Sequence, residues 1–327
     1  MYFIIYIKKR LENIYTEQIK DCISNLFLGK NACILQFGPA ESGKTYSLRN
    51  PDPQDPGLIN QSINDIFNLI EISKSTSKNP QQAKNVSTIF TAKLAIYQVY
   101  NDCLNDLLST QYSKNLNVER PFDAEETSNQ NHIKDLTIRE LKSKKDFELA
   151  VKEADNNRKN LSQSLKVNDL NKKSHLVTSI IIEKREKIPD GYNRTTEQAL
   201  ENFAQIDFVE LADANLGLAA QADEEAEMEN TKVEPVDDLL YRFISKTFNS
   251  VTNNILCAAS GRGVKNDSKL TFALKNTLRR NSQIILFTNA IPNEEPLVNS
   301  VKALKVFYFA KSFSLLFCFI LLYNLSF

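Results

Sequence analysis

The strongest chemical signal in the chain is the run Gly38-Pro39-Ala40-Glu41-Ser42-Gly43-Lys44-Thr45. Two glycines with four residues between them, then lysine and a hydroxyl, suit a loop that wraps phosphate. The glycines let successive N–H groups turn toward an anion, Lys44 supplies charge, and the Thr45 hydroxyl can hold magnesium. Pro39 deletes one N–H donor and Glu41 places a negative charge beside the anion, but neither removes an obligatory residue. The competing reading is an ordinary surface turn.

Such a loop needs a strand to deliver it and a helix to receive it. Ala32 to Phe37 is a short apolar run suited to a buried strand, and a helix is expected from Lys44 onward. Upstream, Ile14 to Leu28 has apolar residues at helical spacing, with Gly29 as its stop. Downstream, Ile59 to Ile72 reads as helix, Ser73 to Asn85 as a solvated loop, Thr88 to Tyr100 as strand and Asn101 to Leu108 as a short helical turn. Ser143 to Asn160 is a charged amphipathic helix, while Leu176 to Glu183 and Gln205 to Leu211 are strand-like. Ala212 to Asp238 turns acidic. Leu239 to Ile255 and Leu270 to Leu278 are helical in pattern, and Gln283 to Ala290 is a last core strand. Strands alternating with helices around a glycine loop predict an α/β fold with a mostly parallel central sheet.

The whole composition narrows the setting. A chain of 327 residues accommodates one large α/β core. Forty basic and forty acidic side chains cancel, so no global positive field recommends nucleic acid or an anionic membrane as partner. The five cysteines are scattered and lack any C-x-x-C pair, which fits neither a disulfide framework nor a zinc site and points to a reducing cytosol. Met1 to Ile7 is apolar with its basic cluster behind it, the reverse of a secretory signal, and reads as a strand. Ser312 to Phe327 is uncharged and apolar but shorter than the ~20 residues of a spanning helix. It reads as a buried terminal helix or strand, with a weak membrane anchor or a stretch that is no genuine part of the protein as the alternatives.

Several segments in order resemble the kinesin motor domain family. Asn31 to Gly38 leading through Lys44-Thr45-Tyr46-Ser47-Leu48 is similar to the family's strand, phosphate loop and hydroxyl-rich tail. Gly57 to Phe67 looks like the helix that follows. Ile96-Tyr-Gln-Val-Tyr-Asn-Asp102 with Asp106-Leu-Leu108 resembles Glu-Ile-Tyr-Asn-Glu and Asp-Leu-Leu, and Asp267-Ser-Lys-Leu-Thr271 matches the family's microtubule-facing loop unchanged. The likeness covers roughly residues 12 to 312. It implies a central sheet flanked by helices on both faces, ATP and magnesium as cofactors on residues 38 to 45, microtubules as track, and Lys265, Lys269 and Lys275 facing that track.

The resemblance is selective. The first switch, Asn-x-x-Ser-Ser-Arg-Ser-His in the family, reads Asn168 to His175 here. Asn168, Ser174 and His175 are retained, but the two serines that would approach magnesium and the attacking water are Asn171 and Lys172, and the arginine is Lys173. The second switch, Asp-Leu-Ala-Gly-Ser-Glu, reads Glu210-Leu211-Ala212-Asp213-Ala214-Asn215. Asp213 replaces a glycine whose N–H would approach the terminal phosphate, and Asn215 replaces the glutamate that would pair with the first switch. Glu210 retains the reach to magnesium through water. Asn168, Ser174 and Glu210 are thus the remaining catalytic candidates.

Acidic residues from Asp223 to Asp238 occupy a segment where the family meets its acidic track with basic ones. The family's first strand, with its adenine-stacking segment, finds no counterpart before Leu11. The expected organisation is a motor domain over 1–312 and an apolar tail over 313–327. No heptad region is visible, so a monomer is expected. The implied function is a cytoplasmic, cytoskeletal, ATP-driven microtubule motor with hydrolysis impaired by the two switches; the alternative is a catalytically inactive nucleotide-binding or interaction module.

Overall fold

A computed structural model describes residues 3–7, 10–76, 87–116, 133–187, 200–214, 235–260, 262, 267–290 and 316–322. The strands are β1 (Phe3–Ile7), β2 (Ala32–Phe37), β3 (Ser87–Tyr100), β4 (Cys103–Asp106), β5 (Arg139–Leu141), β6 (His175–Lys187), β7 (Leu200–Glu210), β8 (Gln283–Ala290) and β9 (Leu316–Leu322). The helices are α1 (Leu11–Gln18), α2 (Lys20–Leu26), α3 (Lys44–Arg49), α4 (Leu58–Thr76), α5 (Lys144–Leu165), α6 (Leu170–Lys173), α7 (Pro235–Ser260) and α8 (Lys269–Ala273).

All described strands join one sheet in the order β1-β9-β8-β2-β7-β6-β3-β4, with β5 also on β3. The expected parallel character holds from β1 to β7, the half that carries the phosphate loop; from β7 to β4 every pairing is antiparallel. The sheet is therefore mixed. Every residue of β2 is buried, as a central strand covered on both faces must be. Ala32 and Ile34 pack with α1, α2, α4 and α5, whereas Cys33, Leu35 and Phe37 pack with α7 and α8. Two apolar layers thus hold helices on both faces of the sheet.

Three local expectations change. Residues 14–28 form two helices, α1 and α2, broken at Ile19, before Gly29 ends the second at φ +81°. Asn101 to Leu108 is not a helical turn: Asn101 and Asp102 both take left-handed φ and fold β4 back on β3, with Tyr100 opposite Cys103. Asn and Asp tolerate that conformation, and a two-residue turn of this kind matches the twist of a hairpin. The apolar C-terminal stretch supplies β9, which pairs with β8 on one side and β1 on the other. No helix among the described residues is long and apolar enough to cross a membrane.

Candidate functional site

At the C-terminal end of β2 the chain enters residues 38–45. Gly38 has φ +151°, and a Cβ there would lie 2.4 Å from the Asn289 carbonyl and 2.8 Å from Ser42 Oγ, so no other residue fits. Gly43 has φ +87° and opens α3. Glu41 is also left-handed, at φ 62°, a conformation costly for a residue with a side chain and tolerated here on an exposed tip. Asn289, at the end of β8, braces the loop. Its Nδ2 donates to the Ser42 carbonyl at 3.0 Å and to Ser47 Oγ at 3.3 Å, and its Oδ1 accepts from Gln36 Nε2 at 2.7 Å.

Lys44 is buried, and its Nζ donates to the carbonyls of Gly38 and Pro39, both at 2.7 Å. Desolvation lowers its pKa, opposed by the carboxylates of Glu210 and Asp213. The ammonium is therefore folded into the loop with two carboxylates near it. Thr45 Oγ1 donates to Glu210 Oε1 at 2.5 Å, while Glu210 Oε2 is buried and has no hydrogen-bond partner among the described residues. A buried carboxylate oxygen without a donor, beside a hydroxyl at the head of a helix, fits a hydrated magnesium ion. Thr45 would hold that ion and Glu210 one of its waters, supplying charge neutralisation to a bound triphosphate.

The first-switch residues divide. Asn168 is exposed in the turn before α6. Ser174 is buried, accepts from Arg158 Nη2 at 2.9 Å and donates to the Leu170 carbonyl at 2.7 Å, so its hydroxyl is turned into the fold. Lys172, at the end of α6, reaches the phosphate loop: its Nζ lies 3.0 Å from Glu41 Oε1, and its carbonyl accepts the Asp213 N–H at 2.8 Å. The Ala214 N–H donates to the Gly38 carbonyl at 3.2 Å. Loop and both switch segments therefore touch, and the Asp213 amide is taken up by Lys172.

Of the lysines expected to face a track, Lys269 donates from Nζ to Asn115 Oδ1 at 3.0 Å and from its backbone N to Asp102 Oδ1 at 3.1 Å. Lys275 lies 5.2 Å over the Phe272 ring, its pKa lowered by desolvation. Within the same motif Ser268 and Thr271 form a buried capping box that opens α8, and Thr271 Oγ1 meets Ser250 of α7 at 3.1 Å. Lys265, Asn215 and the acidic run from Asp223 lie outside the described residues; Asp237 and Asp238 fall on α7.

Two contributors lie outside the sequence motifs. Arg158 is 5% exposed on α5 and bonds Gln98 Oε1 at 3.1 Å as well as Ser174. Burial lowers its pKa to about 10, still far above neutrality, so it stays charged. Its signal was readable: Phe147, Ala150, Ala154, Arg158 and Leu161 fall at helical spacing on the buried face of α5. Asn289, a polar residue closing an apolar strand, carried a weaker hint.

The kinesin motor domain family model matches residues 4–313. The chain belongs to that family. Among curated kinesins, Kinesin-like protein KIN-14M of Arabidopsis thaliana is 22% identical over 90% of this chain and 36% of its own length. Kinesin-related protein 11 of Dictyostelium discoideum is 24% identical over 88% of this chain and 39% of its own. The chain thus spans little more than a third of the length of these kinesins. Among solved structures, the motor domain of the Kar3-like kinesin from Ashbya gossypii superposes with a TM-score of 0.66 at 18% identity, covering 93% of this chain and 82% of that one. A fast kinesin gives 0.67 at 20% identity, covering 93% and 77%. At such identities the likeness shows a shared kinesin fold.

Proposed function

We propose that this kinesin motor domain binds ATP with magnesium on residues 38–45 and binds microtubules as a cytoskeletal motor, with hydrolysis slowed by its two switches. The observation that carries the nucleotide reading is the loop itself. Gly38 and Gly43 turn the backbone, Lys44 is drawn into it, and Thr45 meets Glu210 beside a carboxylate oxygen that lacks a donor. Lys269 and Lys275 on and after α8, with Lys265 from the neighbouring segment, are the track-facing residues of this reading. Phosphoryl transfer depends on groups placed around the terminal phosphate and the attacking water. Here the Ser174 hydroxyl is held by Arg158 and Leu170, and the Asp213 amide by Lys172, so both must rearrange before they can serve.

That same pair of contacts favours a second reading, a nucleotide-binding module without turnover. ATPase rates with and without microtubules, beside calorimetric ATP titration, separate the two. Nucleotide binding lost in Lys44→Ala, with slow turnover raised by microtubules, is the expected result. Binding without any turnover supports the module, and ATP affinity indifferent to Lys44→Ala removes the loop from both readings.

A further inference from the structure

We propose that Lys172 is a phosphate-contacting residue that makes this site prefer a nucleoside triphosphate over a diphosphate, and that Glu41 occupies its ammonium until the terminal phosphate displaces it. The inference rests on the nucleotide-binding reading above and concerns two positions at which the chain departs from its family.

Glu41 sits on the phosphate loop and Lys172 at the end of α6, far apart in sequence, yet their charged atoms are 3.0 Å apart. The Lys172 backbone is fixed to the second switch by the Asp213 N–H. Asp213 lies within electrostatic range of both Lys172 and Lys44, so both ammonium groups feel the same carboxylate. Glu41, Asp169 and Asp213 are the carboxylates that act on Lys172, and Glu210 and Asp213 those that act on Lys44. A triphosphate seated on the loop brings its outermost charges toward these ammonium groups, whereas a diphosphate ends one group short.

The strengths favour exchange. The side chains of Lys172 and Glu41 are 41% and 76% exposed, and ion pairs so exposed are weak because water screens them. A lysine bound to a phosphate oxygen makes a charge-assisted hydrogen bond of roughly twice neutral strength, to a group of higher charge than a carboxylate. Glu41 is therefore displaced when a terminal phosphate arrives. Lys172 occupies a position where the family's pattern has a serine, so a cation stands where a hydroxyl is expected.

The test is calorimetric titration of the full chain with ATP and with ADP, both in magnesium, for wild type, Lys172→Ala, Lys172→Arg, Glu41→Gln, Lys44→Ala and the Glu41→Gln/Lys172→Ala pair. Lys172→Ala is expected to weaken ATP about tenfold, the scale of one hydrogen bond to a charged group, with ADP little changed. Lys172→Arg keeps the preference. Glu41→Gln strengthens ATP severalfold, and this gain vanishes when Lys172 is also alanine. Equal effects of Lys172→Ala on ATP and ADP, or none on either, overturn the inference while Lys44-dependent binding leaves the site intact. Absence of any Lys44-dependent binding in the wild type overturns both.

Discussion

His175 illustrates how a retained motif residue can be read from its environment. It is 3% exposed, its Nδ1 accepts the Ala212 N–H at 3.1 Å, and the Phe248 ring meets it edge-on at 5.7 Å. Burial, then the charge of Arg158, lowers its pKa from the ordinary 6.5 to about 3. It is a neutral acceptor that positions the second switch, unsuited to proton transfer near neutrality. The unfolded chain takes up a proton here below about pH 6.5 and the folded chain only near pH 3, so the unfolded state binds more protons in between. Stability must fall as pH is lowered through that window, at up to ~1.4 kcal/mol per unit from this group. His175→Asn removes the titration, and urea unfolding between pH 6.5 and 4 should show a shallower slope than wild type; identical slopes would place the acid sensitivity elsewhere. Neither this burial nor the Glu41–Lys172 contact was legible in the sequence, because each depends on which distant segments meet. The loop itself was legible, since glycine spacing and a following lysine are local requirements.

At the scale of elements, periodicity located the core strands β2 and β8 at their observed bounds and found α4, α5, β3, β6, β7 and α7, with some ends misplaced by four or five residues. It failed where a turn decided the outcome. Leu104, Leu107 and Leu108 looked helical in spacing, but left-handed Asn101 and Asp102 commit the chain to a hairpin before any helix can start. α5 shows the opposite case, a helix secured at its first residue. Ser143 Oγ accepts from the Asp146 N–H at 3.4 Å, and Asp146 Oδ2 accepts from the N–H groups of Ser143 and Lys142, both at 2.9 Å. These backbone bonds lower the Asp146 pKa. Ser143→Ala should cost ~1 kcal/mol as the loss of an N-cap. Arg158→Met, further along the same helix, leaves the Gln98 acceptor and the Ser174 hydroxyl without their charged donor and should cost ~1–3 kcal/mol. Urea midpoints with unchanged slopes would measure both; equal costs would mean that the buried arginine contributes no more than a surface cap.

For the molecule as a whole, the family model ends at residue 313, yet the sheet continues into β9. β9 covers β8 from Ile284 to Ala290 and is the partner of β1. A chain stopped after residue 312 should therefore melt at lower temperature and aggregate more readily, because β8 acquires an open edge. It should also bind ATP more weakly, since Asn289 on β8 braces the phosphate loop. Melting and titration curves matching those of the full chain would make β9 dispensable. The ladder has a mechanical side as well. β1, β9, β8 and β2 run parallel, so a pull on the far end of β9 against the near end of β1 loads their hydrogen bonds in shear, all together rather than one after another. A pull on β9 against the rest of the sheet loads the β8–β9 ladder in the same way, and Asn289 near the end of β8 holds the Ser42 carbonyl, so the loop at residues 38–45 is tied to a strand that bears that load.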